Sequence, residues 1–84
     1  MTDRYIPIMV GIGFGNSVRT LGIDAIVNPD SAPIKRMIQD ARDANRLVDA
    51  TQGRKTRSVV VMSSGAVVLS ALQPDTISQR ANNE

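Results

Sequence analysis

The spacing of apolar positions changes along the chain, and each change marks an element. Ile6-Pro7-Ile8-Met9-Val10 reads as a strand, and its early proline, which has no N–H to donate, suits a sheet edge. Gly11, Gly13 and Gly15 interrupt the apolar run that follows, and Gly15-Asn16-Ser17 carries a turn signal. A second strand is expected from Ile23 to Val27, closed by Asn28-Pro29. The period then lengthens. Asp30 or Ser31 offers a helix cap, and Pro33 is tolerated in the first turn. Ile34, Met37, Ile38 and Ala41 keep the i, i+3, i+4, i+7 rhythm of one buried face. Lys35, Arg36, Gln39, Asp40, Arg42 and Asp43 fall on the other side, and the helix should end near Asn45.

Leu47 to Thr51 returns to an extended pattern, and Thr56 to Met62 is its expected hairpin partner across a basic loop, Gln52 to Arg57. Val59-Val60-Val61 is apolar on both faces, so this strand is either central or covered by a neighbouring subunit. Ser63-Ser64-Gly65 forms a short connection to a last apolar strand, Ala66 to Leu72. Gln73-Pro74-Asp75-Thr76 opens a short C-terminal helix, and residues 81–84 read as a flexible polar tail. The fold class is therefore α+β: a small, mainly antiparallel sheet with one amphipathic helix and a short C-terminal helix, all within a single domain spanning residues 1–80.

Length bears on how that domain is stabilised. A core built from 84 residues is marginal, and with no cysteine or histidine neither a disulfide nor the usual zinc site can support it. Oligomerisation is the remaining common route. The apolar content is aliphatic, with Tyr5 and Phe14 the two aromatics, so the chain lacks the stacking platform of single-strand binders. No apolar run is long enough to span a bilayer and no secretory signal is visible, which leads to the expectation of a cytoplasmic protein without membrane contact.

Charge is segregated. Residues 35–57 hold seven Lys or Arg against three Asp, a balance of +4, while the remainder of the chain carries −2. Arg54, Lys55 and Arg57 come without an intervening acid, and Arg46 lies on the approach to the same region. Long cations on a loop face water or an anion, and this cluster points to nucleic acid. Alternation along the following strand places Arg57 on the same face as Val59 and Val61, at an interface edge. Gly11-Ile12-Gly13-Phe14-Gly15 lacks the spacing and the following helix of a dinucleotide fingerprint, and is read as a bulge or a close approach of backbones. Asp40 and Asp43 have Lys35, Arg36 and Arg42 within a turn, so an ion-pair network on the helix surface explains them better than catalysis does. No enzyme activity, metal or cofactor is expected.

Several strings resemble the bacterial RemA-like extracellular matrix regulators. These are Ile12-Gly-Phe-Gly-Asn16, Val27-Asn-Pro29, Ser31-Ala-Pro-Ile-Lys-Arg-Met-Ile-Gln-Asp-Ala-Arg-Asp43, Asp49-Ala-Thr51, Gly53-Arg-Lys-Thr-Arg57, Leu69-Ser-Ala71 and Gln73-Pro74. The resemblance implies a transcriptional regulator, linked to matrix and biofilm genes, that binds double-stranded DNA as a homo-oligomeric ring of about six to eight subunits. It assigns DNA contact to Arg54 and Lys55; Arg57, Arg19, Lys35 and Arg36 are further candidates by their charge. Three positions depart from the family pattern: Leu21-Gly22 replaces an Asn-Arg pair, Gln52 replaces an aromatic, and Lys55 stands where arginine is usual. Lysine keeps the charge but loses the bidentate fork. Two other readings stay open. One is a structural ring without DNA binding, its basic loop paired with Asp24, Asp30 or Asp75 of the adjacent subunit. The other is a small-anion or nucleotide sensor, with ligand in the glycine turn or a ring channel.

Overall fold

In the computed structural model, which describes residues 6–82, the first apolar segment forms a hairpin. Strand β1, Met9–Gly13, pairs antiparallel with β2, Asn16–Arg19, and the register slips between Gly11 and Gly13 as the glycine spacing suggests. The expected strand over Ile6 to Val10 thus starts three residues later, and the strand β2 lies where only a turn was read. Val10 and Ile12 alternate inward along β1 and are buried. Thr20–Gly22 makes one 3-10 turn into β3, Ile23–Val27, which matches the expected second strand.

Helix α1, Ala32–Asp43, begins as the sequence indicates: Ser31 Oγ accepts from the Ile34 N–H at 3.4 Å, with proline in the first turn. At its far end Asn45 takes the left-handed conformation, φ 59°. The Arg46 N–H donates to the Ala41 carbonyl and the Asn45 N–H to that of Arg42, the paired bonds of a Schellman stop. Strand β4, Leu47–Asp49, follows, then β5, Ser58–Met62, and β6, Val67–Ser70. Helix α2, Pro74–Asn82, extends into the expected tail; residues 83 and 84 of that tail lie outside the described residues.

The four longer-range strands form one sheet in the order β3-β5-β6-β4. This corrects the expected hairpin between β4 and β5. Strand β6 sits between them, antiparallel to β5 and parallel to β4. The cause is burial: β6 is buried along its whole length, as are the first three residues of β5, whereas Val48 and Asp49 of β4 are exposed. Two strands apolar on both faces belong together inside a sheet, and a half-polar one belongs at its edge. Both faces of β5 are covered within this chain. Val60 and Val68 pack with Ile12, Ala50 and Ile77, under the β1–β2 hairpin and α2. Val59, Val67 and Leu69 pack with Ala41, Ile34, Met37 and Ile38 of α1. The result is a three-layer arrangement around the sheet.

Candidate nucleic-acid interface

The basic segment is a strap across one end of the sheet. Its two roots are tied to β6: the Ala50 N–H donates to the Leu69 carbonyl at 3.0 Å and the Arg57 N–H to that of Ser70 at 2.9 Å. Asp49 shapes the exit from β4, where its Oδ1 accepts from the Thr51 N–H at 2.9 Å and the Thr51 hydroxyl at 2.6 Å. The hydroxyl bond, then the backbone bond, hold the Asp49 carboxyl below its ordinary pKa, with Arg42 adding a smaller push in the same direction. Thr51 itself is buried. Gln52 and Gly53 then turn the chain at φ 54° and 79°, and the Arg54 N–H closes on the Thr51 carbonyl at 2.9 Å. Two successive residues at positive φ belong to a tight primed turn, which explains the glycine.

Arg54, Lys55 and Arg57 leave this strap exposed to solvent. The tip of the β1–β2 hairpin reaches the same place, because Gly13 lies against Leu72: a Cβ there would come within 3.5 Å of the Leu72 side chain. The Arg54 guanidinium lies over the Phe14 ring, 5.7 Å from its centroid. Between hairpin tip and strap is an open depression of about 360 Å³, floored by Ala71 and Leu72 and bordered by Phe14, Arg54, Lys55 and Arg57. Lys55 and Arg57 also border a smaller one of about 70 Å³, with Asn28, Asp30 and Gln73 opposite.

The other expected cations are placed elsewhere. Arg19 pairs with Met9 at the far end of the hairpin, beside Ile6, Pro7, Ile8 and Leu21. Lys35 and Arg36 are exposed in the N-terminal half of α1, on the opposite face of the sheet from the hairpin. Arg46, read in sequence with the basic region, instead donates from Nη1 to the Gly65 carbonyl at the β5–β6 turn. On α1 the polar contacts run through Gln39, which donates to Asp43 at 2.9 Å and accepts from Arg42 at 3.4 Å, in place of the expected Lys/Arg–Asp network. Phe14 joins the site although nothing in the charge pattern marks it. Its signal was an aromatic held between two glycines at a turn.

The similarity to known proteins spans nearly the whole fold, the strap and the hairpin tip included. The family model described as RemA-like, Extracellular matrix regulatory protein A-like, matches residues 9–81. The chain belongs to this family. Among its relatives, a "Putative regulatory protein" of Bacillus pumilus (strain SAFR-032) is 58% identical over 72 residues, covering 86% of this chain and 81% of the relative. Proteins of the same printed description from Bacillus cytotoxicus and Bacillus mycoides are each 59% identical over 75 residues, covering 89% of this chain and 86% of theirs. These names describe regulators. Among the described residues of this RemA-like chain, no cluster of three or more potential metal ligands occurs and no helix is long and apolar enough to cross a membrane.

Proposed function

We propose that the chain is a non-enzymatic, oligomeric regulator that binds double-stranded DNA through the strap carrying Arg54, Lys55 and Arg57. The observation that carries this reading is the combination of free charge with a fixed backbone. Three exposed cations project from one end of the sheet, on a segment anchored at Ala50 and Arg57 and closed by a tight turn at Gln52-Gly53. Such a segment presents charge to phosphates without first having to be ordered. A few phosphate contacts per subunit bind weakly. A closed ring of about six to eight copies would hold many of them against one duplex at high effective concentration. Support for self-association comes from the far end of the hairpin, where Ile6, Ile8, Met9 and Leu21 are 45–81% exposed.

The test is duplex binding by fluorescence anisotropy over a series of salt concentrations. Log affinity should fall linearly with log salt, by about 0.9 per phosphate neutralised. Binding that barely responds to salt would remove the reading. A second reading, a small-anion or nucleotide sensor, draws on the depression of about 360 Å³ with cations on its border. Competition by free nucleotide at micromolar concentration would favour it over duplex binding.

A further inference from the structure

Phe14 occupies a backbone conformation that its side chain does not favour. Its φ is 53°, between Gly13 at 106° and Gly15 at 79°, and the tip is closed by the Asn16 side-chain amide donating to the Gly13 carbonyl at 3.2 Å. The two-residue loop between the paired Gly13 and Asn16 imposes this φ, as the turn at Gln52-Gly53 does, but asparagine, aspartate or glycine suits that position and a bulky ring there is an outlier. Nor does burial explain the residue, because Phe14 is 50% exposed. The contact on its ring is the Arg54 guanidinium. We infer that Phe14 is a positioning residue: an aromatic platform on one hairpin that fixes Arg54 of another segment in its phosphate-binding orientation.

The chemistry suits this task. With its Cζ 5.7 Å from the Phe14 centroid, the guanidinium has the ring on one side, and its N–H groups directed away from the ring remain available to a phosphate. An arginine held in this way loses less rotamer freedom on binding. Lys55, a point charge on a flexible stem, has no planar fork for a ring to orient.

The inference rests on the DNA-binding reading, and its test separates the two. Anisotropy with a labelled duplex at several salt concentrations compares the wild type with Phe14→Leu, Phe14→Tyr, Arg54→Ala and the Phe14→Leu/Arg54→Ala double variant. Phe14→Leu should weaken binding about two- to fivefold per engaged subunit and flatten the salt slope. Phe14→Tyr should bind as the wild type, and Phe14→Leu should add nothing once Arg54 is absent. Equal losses in both backgrounds, or full affinity in Phe14→Leu, would overturn the platform. Phe14→Gly guards against a folding artefact: it relieves the positive φ, so its thermal midpoint should match or exceed the wild type while its affinity falls. A lowered midpoint would count against the inference. If no variant binds duplex, the DNA reading fails alone, because the platform has its own readout. In arginine-labelled protein the Arg54 Nε–Hε resonance should be shifted by the ring current and move to the position of a free arginine in Phe14→Leu. An unmoved resonance would overturn the platform even if DNA binding holds.

Discussion

The two ends of the sheet treat their arginines in opposite ways. At the β5–β6 turn, Arg46 is spent on the Gly65 carbonyl, and Arg19 sits exposed among the apolar Ile6, Ile8 and Leu21, apart from the strap cations. At the other end the backbone uses its own hydrogen bonds to hold the strap, so the charged groups of Arg54, Lys55 and Arg57 are not needed to close it. A cation that closes a turn contributes to folding. A cation carried by an already closed turn is available to something else. The same residue type therefore carries different functions according to whether the backbone beneath it needs help, and a count of charges along the chain does not distinguish them.

The sharpest break of this comparison is the double variant Arg54→Ala/Lys55→Ala. Both side chains are exposed, so stability should change by less than about 0.5 kcal/mol. Duplex affinity should fall at least about tenfold, because a small loss at each strap is multiplied over every engaged subunit. Anisotropy and a thermal melt on the same preparation check both halves. Normal DNA binding would shift the contact to Lys35 and Arg36 on α1, and dissociation into monomers would make the strap an inter-subunit element.

The apolar end is tested by Leu21→Asp. Leu21 is 81% exposed in the single chain, so a charge there costs the fold little. In the proposed oligomer it would place one carboxylate in an apolar contact per subunit. Native mass spectrometry should show the assembly falling to smaller species, with duplex affinity lost alongside it through avidity. An unchanged mass would mean that the subunits meet elsewhere.

Much of this contrast was legible before the structure, and the exceptions have common physical causes. The rhythm of Ile34, Met37, Ile38 and Ala41, the Ser31 cap and the Asn45 stop are local signals, and α1 follows them. The basic cluster was equally visible. Strand partners were not, because β4 and β5 are adjacent in sequence but β6 competes for the same place with greater burial. Burial is a property of the assembled sheet. The strand β2 was hidden by its polar residues: Asn16, Ser17 and Arg19 are exposed, and only Val18 packs inward. The Phe14–Arg54 contact joins positions far apart in sequence and depends on the hairpin tip reaching the strap.

Arg46→Ala sharpens the comparison from the other side. It should cost about 1 kcal/mol through loss of the charged hydrogen bond to Gly65, discounted because the group is exposed. Duplex affinity per assembled subunit should not change. A variant of full stability but weak DNA binding would show that Arg46 belongs with the phosphate-facing cations after all.

The smallest expected effect concerns Asp49, which shapes the root of the strap. Its two bonds from Thr51 favour the ionised form, so its folded-state pKa lies below the ordinary 3.8. A depressed carboxylate contributes stability that is fully present above the unfolded-state pKa and is lost as pH falls through the folded one. Asp49→Asn keeps an acceptor for Thr51 but no charge. The variant should therefore be slightly less stable than the wild type at neutral pH, and the gap should close as pH drops below 3.8. Other acids titrate in that range, but they do so in both proteins, so the difference between their denaturation midpoints isolates Asp49. A gap that stays constant down to full protonation would mean that the geometry of the side chain, not its charge, holds the strap.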